Sequence, residues 1–179
     1  MSDREIMRMY RSGARERAFE ALVSNYRERL YWHIRRFTCS HEDTDDLLQD
    51  TFAKIWAALP SFREDAQLFT WIYRIATNEA LNFLRKKKIR ATIAFEDILG
   101  EMEKRIDSDP HFNGDAIQRQ LHKAIQKLPT KQRLVFNLRY FDELKYEEIS
   151  EITGITTGSL KASYHHAYNK IKAELEKYF

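Results

Sequence analysis

One cysteine, Cys39, stands in the whole chain, so no disulfide can close within it, and a reducing compartment is expected. Three prolines and five glycines are few for 179 residues. With β-branched runs also scarce, the composition favours helix and leaves little room for a sheet. No stretch approaches the ~20 apolar residues that a membrane span needs. The opening "MSDREIMRMYRSGARERAFE" is charged throughout and lacks the apolar centre of a signal peptide, so a cytoplasmic protein without membrane insertion is expected. A dominant charge is missing as well: 30 Lys and Arg stand against 27 Asp and Glu, a net of +3 that by itself argues only faintly for a polyanionic partner. Also absent are a glycine-rich phosphate cradle, a nucleophile elbow and paired carboxylates in a cleft-like context. Cys39 and His41 have no second pair to complete a structural zinc site, and His165 and His166, being adjacent, cannot share one helical face. No catalytic residue, metal or cofactor is therefore expected, and the chain is not read as an enzyme.

The distribution of charge says more than its sum. Bases concentrate in "RKKKIR" (Arg85 to Arg90), acids in "HEDTDDLLQD" (His41 to Asp50) and again between Glu96 and Asp109. Two surfaces of opposite sign imply two kinds of contact.

Apolar residues recur at Leu22, Val23, Tyr26, Leu30, Ile34 and Phe37, one face of a helix that starts near Phe19. A second helix starts near Asp43, carries Leu48, Phe52, Ile55 and Leu59 on one face, and stops at Pro60. A third runs through Phe69, Ile72, Ala76, Ala80 and Phe83. Between Ala91 and Gly114 the periodicity fades and acids dominate, which reads as a flexible linker with at most one helical turn. Helical spacing resumes at Ile117, Leu121, Ile125 and Leu128 up to Pro129. "TKQRLVFNLRYF" follows with Thr130 as its expected cap, then "YEEISEIT" and "TGSLKASYHHAYNKIKAEL". The expected fold is all-α: two small helical bundles, 1–90 and 115–179, joined by the acidic linker 91–114, with no internal repeat.

"YEEISEITGITTGSLKASYHHA" reads as a helix-turn-helix. Gly154 supplies the permissive turn, Ile155 plugs the corner and Thr156 can cap the second helix. Leu160, Tyr164, Ala167 and Ile171 then face inward, leaving Ser159, Lys161, Ala162, Ser163, His165 and His166 outward as small and polar groups able to enter a major groove. An ordinary αα-hairpin has the same pattern. Lys161 is the only fixed positive charge on the first turns of that face, even with Arg133, Arg139, Lys145 and Lys170 nearby. Non-specific DNA affinity comes mainly from phosphates met by Lys and Arg, so a partner is expected to supply much of the binding.

In the first bundle, Asp46, Asp50, Ala53 and Ala57, bordered by Gln49, make a flat negative face. It would repel DNA and can receive arginines from a protein, although a solvated face whose acids favour the helix dipole looks alike. On the third helix Thr70, Trp71, Arg74, Asn78, Asn82 and Arg85 fall on the face away from the core. That mixture of aromatic, amide and arginine suits unstacked nucleic acid, and is also compatible with a plain polar exterior.

"DTDDLLQDTFAKIWAALPSF", "LFTWIYRIATNEALNFLRKKK" and "LPTKQRLVFNLRYFDELKYEEISEITGITTGSLKASYHHA" together resemble the extracytoplasmic-function group of bacterial RNA polymerase sigma factors, in order and over nearly the whole chain. The resemblance implies that 1–90 is the region 2 domain, which binds core polymerase and opens the minus-ten element, and that 115–179 is the region 4 domain, which reads the minus-thirty-five element. It places core-polymerase contacts on Asp46, Gln49, Asp50 and Phe52, the last largely a packing residue. It places minus-ten contacts on Ser61, Phe62 and Arg63 of the base-capturing loop "PSFREDAQ" and on Trp71, Arg74, Asn78, Asn82 and Arg85. Minus-thirty-five contacts fall on Ser159, Lys161, Ala162, His165 and His166. The implied partners are core RNA polymerase, through its clamp helices and flap, promoter DNA, and an anti-sigma factor.

"SLKASYHHA" departs from the commoner pattern of arginines and a serine in the recognition helix and is similar to Bacteroidetes-type members of the group. A stand-alone regulator with a ligand-sensing first bundle would need a pocket where polar stripes are read, and a purely protein-binding adaptor would use the helix-turn-helix as scaffold only. Scale fits the polymerase reading. About two dozen linker residues at ~3.3 Å each reach on the order of 75 Å, against roughly 85 Å between elements some twenty-five base pairs apart.

Overall fold

The computed structural model describes residues 1–63, 65–90, 95–109 and 115–178, with side chains described outside 88–99. Glu64 of the expected base-capturing loop and residues 91–94 and 110–114 of the expected linker lie outside the described residues. The chain divides into two units, Met1–Phe83 and Leu84–Phe179. Among the described residues there is no strand, in keeping with the all-α expectation.

The first unit opens with a helix not foreseen from the sequence, α1 (Asp3–Arg11). Its start is built by a reciprocal cap: the Glu5 amide donates to Ser2 Oγ, and the Ser2 amide donates to Glu5 Oε2 at 2.6 Å. Ile6 and Met7, 0% and 6% exposed, fasten it, and the Tyr26 hydroxyl donates to Asp3 Oδ2 at 2.6 Å, tying α1 to α2 (Arg15–Thr38). Burial and that carboxylate push the Tyr26 phenol well above its ordinary range.

The predicted inner stripe of α2 is buried at Leu22, Tyr26, Leu30, Ile34 and Phe37. Each such aliphatic side chain contributes about 1.5–3 kcal/mol on burial. The helix ends at Cys39, a buried residue in the left-handed region with φ 53°. The next helix, α3 (His41–Ala58), begins two residues before Asp43, capped by Ser40, whose Oγ accepts from the Asp43 amide at 3.2 Å. Leu59–Ser61 tightens into a 3₁₀ turn around Pro60 before α4 (Leu68–Arg90). Ile72, Tyr73, Ala76 and Ala80 bury one face of α4, and His33 Nε2 meets Thr77 Oγ1 at 3.0 Å inside the unit, locking α4 to α2.

In the second unit the acidic stretch is more ordered than its composition suggests. A 14-residue helix, α5 (Phe95–Ser108), replaces the single turn expected there. Met102 and Ile106 are 3% and 0% exposed, and α5 packs against α6 (Ala116–Gln126). Lys123 pairs with Asp107 at 2.7 Å, and Lys127 reaches both Glu103 of α5 and Glu174 of the last helix. The acids that masked the helical pattern thus have lysine partners across the packing line. Ile117, expected in the core, is 52% exposed on the first turn of α6.

Pro129, not Thr130, holds the cap position of α7 (Thr130–Phe136), and no side chain caps it. A π-helical turn, Asn137–Phe141, continues it, so "TKQRLVFNLRYF" is not one regular helix. Helices α8 (Tyr146–Thr153) and α9 (Thr157–Leu175) meet at Gly154, whose φ of 74° and amide bond to the Ser150 carbonyl end α8. Thr156 caps α9 through the Ser159 amide, as expected. Ala124, Ile125, Leu128, Phe136, Ala167 and Ile171 form one core cluster of this unit, with Tyr164 packed beside it.

Truncation of Ile106 to alanine is expected to destabilise the second unit by about 2–5 kcal/mol, read by urea unfolding, and native amides from Met102 to Ile106 should exchange slowly. The Glu174 carboxyl is held below its ordinary value of 4.5 chiefly by its hydrogen bond from Lys127. Its stabilisation is therefore complete above that ordinary value and lost as pH falls through the depressed one. Acid unfolding of Glu174→Gln should lack that component below about pH 4.5, while wild type shows it.

Candidate functional site

Three sets of exposed side chains correspond to the expected sites, and the local fold explains each. On α3 the burial of Thr44, Leu48, Thr51 and Ile55 turns Asp46, Gln49, Asp50, Ala53 and Ala57 out to solvent. Phe52 is half-buried at the edge of this face, its ring 6.4 Å from that of Phe19. Beside it, Trp56 is 41% exposed and lies edge-on to Phe19 at 4.9 Å. These rings floor an open groove of about 530 Å³, rimmed by Glu16, Glu20 and Gln49. The negative face is thus joined to an aromatic one that the sequence reading missed. The signal was present, since Trp56 follows Phe52 by one helical turn.

The second set spans the loop before α4 and the outer face of that helix. Ser61 is exposed, with its hydroxyl donating to the Ala58 carbonyl at 2.7 Å, and Arg63 is exposed. Phe62 tilts against Trp71 with ring centroids 5.0 Å apart, so loop and helix are brought together by one aromatic contact. Trp71 and Asn82 are half-buried; Arg74, Asn78 and Arg85 are exposed. Thr70 does not belong to this stripe: it is 1% exposed and its hydroxyl donates to the Gln67 carbonyl at 3.0 Å.

The third set is on α9. Leu160, Ala167 and Ile171 are buried and Tyr164 half-buried, its ring stacked on Phe136 at 5.6 Å. Lys161, Ala162, His165 and His166 are exposed and Ser159 half-buried. Ser163, expected outward, is 9% exposed and faces the core. Asn169 Nδ2 lies 3.0 Å from His165 Nε2, and the His165 and His166 rings are 6.1 Å apart.

The supply of positive charge around α9 also changes. Arg133 is 5% exposed and donates to Gln126 Oε1 at 2.6 Å, so it is removed from any phosphate-binding role. Arg139 is half-buried and donates to the Leu144 carbonyl. Lys131, overlooked in the sequence, donates to Ser159 Oγ at 3.0 Å and so stands at the N-terminal end of α9. Lys161 lies 5.8 Å over the Tyr146 ring, whose other near cation is Arg139 at 5.2 Å. Lys145 and Lys170, also expected nearby, are exposed. Among the described residues no group of three metal-ligating side chains comes together, and no helix is long and apolar enough to cross a membrane.

Comparison with known proteins places the chain in a family. Residues 22–89 match the model of sigma-70 region 2, and residues 118–171 match sigma-70 region 4. The chain is 31% identical over 167 residues to the ECF RNA polymerase sigma factor SigW of Bacillus subtilis, covering 88% of this chain and 89% of that protein. It is 30% identical over 171 residues to the RNA polymerase sigma-H factor of Pseudomonas aeruginosa, covering 90% and 88%. Among solved structures, the sigma factor RpoE co-crystallised with the anti-sigma factor NepR from Bartonella quintana matches with TM-score 0.68 at 23% identity, over 88% of this chain and 96% of that one. CnrH in complex with the cytosolic domain of CnrY also matches with TM-score 0.68 at 23% identity, over 90% of each chain; at that identity both speak for the fold alone. By sequence over nearly its full length, the chain belongs to the extracytoplasmic-function group of RNA polymerase sigma factors, the non-catalytic subunits that direct core polymerase to specific promoters.

Proposed function

We propose a division of labour within this sigma factor, in which each exposed surface has one partner. The supporting observation is that the first unit carries two chemically opposed faces on adjacent helices: carboxylates beside an aromatic groove on α3, and an aromatic, amide and arginine stripe on α4. A single ligand does not suit both. The α3 face, through Asp46, Gln49, Asp50 and Phe52, takes basic side chains of the polymerase clamp helices. Trp56 and Phe19 offer those helices an apolar seat.

The loop residues Ser61, Phe62 and Arg63 and the α4 residues Trp71, Arg74, Asn78, Asn82 and Arg85 meet the opened minus-ten element. A flipped base costs a few kcal/mol, about what one stacking contact of ~1–3 kcal/mol returns. Melting therefore draws on polymerase contacts as well. Ser159, Lys161, Ala162, His165 and His166 read the minus-thirty-five element, with the polymerase flap holding the second bundle in place. The domains are 1–90 and 115–179 with 91–114 between them, and the histidine-bearing helix α9 is of the Bacteroidetes type. The protein works in the cytoplasm, and an anti-sigma factor covers its polymerase-binding surfaces until a signal arrives. Support for that partner is the anti-sigma protein bound to the similar RpoE of Bartonella quintana.

The test is transcription by purified bacterial core polymerase on a library of promoter fragments. The chain is expected to confer start sites that core alone does not use. Asp50→Arg should abolish them and weaken core binding at least about tenfold, since like charges set face to face cost several kcal/mol. His165→Ala and His166→Ala should each relax preference at single base pairs by about 1–3 kcal/mol and leave core binding unchanged. Wild-type activity retained by Asp50→Arg would remove the α3 face from the polymerase interface.

A further inference from the structure

His165 and Asn169 stand four residues apart on α9, one above the other on the helix surface, and both are exposed. Asn169 Nδ2 lies 3.0 Å from His165 Nε2. An amide nitrogen only donates, so Nε2 accepts. A ring nitrogen that accepts carries no proton, and the neutral imidazole then holds its hydrogen on Nδ1. An imidazolium has no acceptor to offer, so this bond belongs to the neutral ring.

Neither packing nor helix propensity accounts for Asn169. Asparagine is a poor helix former, and this one sits inside a 19-residue helix with its side chain in solvent. Leu160, Ala167 and Ile171 make the buried face of α9 instead. Lys161, the donor one turn before His165, is drawn off over the Tyr146 ring at 5.8 Å. On its other side His165 meets only the edge of the His166 ring, 6.1 Å between centroids. The two nitrogens of an imidazole point apart, so the Nδ1 hydrogen is directed away from Asn169. Among the described residues it has no acceptor.

We propose that Asn169 is a positioning residue for base readout: its amide holds His165 as a donor from Nδ1, so that the helix selects a base edge that accepts. Guanine and thymine present acceptors and no donor in the major groove, whereas cytosine presents only a donor. The inference rests on the reading of α9 as the minus-thirty-five surface and deepens it. Without the Asn169 amide the proton is free to occupy either nitrogen, and the ring accepts from a base as readily as it donates.

The experiment uses the full chain assembled with core polymerase. Equilibrium binding is measured at about pH 8, where an ordinary imidazole is neutral, to a fragment from the library selection and to its single base-pair substitutions across the minus-thirty-five element. The variants are His165→Ala, Asn169→Ala and the double; alanine at an exposed helical position keeps the fold. His165→Ala should relax one position, at which wild type prefers guanine or thymine. Asn169→Ala should lower discrimination at that same position by about threefold to tenfold, the worth of one neutral hydrogen bond. The double should relax it no further than His165→Ala alone. In the free chain labelled with nitrogen-15 histidine, the ring signals that vanish in His165→Ala should show Nδ1 protonated and Nε2 bare, and Asn169→Ala should move them toward a mixture.

A wild-type proton on Nε2, or a wild-type preference for cytosine at that position, overturns the proposal. So does a change in Asn169→Ala that falls at another position, weakens all fragments alike, or adds to the loss in the His165→Ala background, since Asn169 would then not act through His165. In each of those cases a position relaxed by His165→Ala leaves the minus-thirty-five reading intact. His165→Ala with unchanged preference at every position overturns the reading of His165 itself, and the role of Asn169 with it.

Discussion

A helix in a small bundle has one stripe to bury and one to show, and the 3.6-residue repeat ties the two together. In α4, Ile72, Tyr73, Ala76 and Ala80 go inward and Thr77 is fixed to His33 of α2. Trp71, Arg74 and Asn78 then have nowhere to go but outward. Rotating α4 to change its outer face would break that buried hydrogen bond and expose apolar surface at about 25 cal/mol per Å². The same coupling operates in α3 and α9, so the exposed chemistry of all three helices is specified by their cores.

This coupling is also why much of the site was legible in the sequence. Asp46, Gln49 and Asp50, and Lys161, Ala162, His165 and His166, follow from locating the apolar stripe and reading its complement. The reading failed where side chains were small and polar. Thr70 and Ser163 are buried because a hydroxyl can satisfy itself on nearby backbone or tuck into a tight contact, as Thr70 does on the Gln67 carbonyl. It failed again where a helix is held by few apolar residues. Helix α1 has Ile6 and Met7, and the described part of α5 has Met102 and Ile106, too few for a periodic signal amid charges. Ion pairs across α5 and α6 become visible only once the two helices lie side by side. Arg133 shows the opposite error: counted as surface charge, it is instead a buried partner of Gln126.

The arrangement of charge is consistent with a subunit that works in company. Few fixed cations serve α9, where Lys131 and Lys161 are both engaged locally, one on Ser159 and the other over Tyr146. On the reading proposed for α9, such a surface would discriminate between bases more than it adheres to phosphate. Adhesion without discrimination would trap the protein on the large excess of unrelated DNA. A weak reader carried by core polymerase, as proposed, would avoid that trap.

Folding of α5 within the second unit has a metric consequence for the stretch expected to be a linker. A helix advances 1.5 Å per residue where an extended chain advances about 3.3 Å, so each α5 turn that stays wound withholds about 6–7 Å of span. The distance that this stretch can bridge is then governed by how firmly Met102 and Ile106 are seated and by the grip of Lys123 and Lys127. On the proposed reading of the two units, tolerance for the separation of their DNA elements becomes a property of one packed helix, adjustable by single substitutions remote from any base.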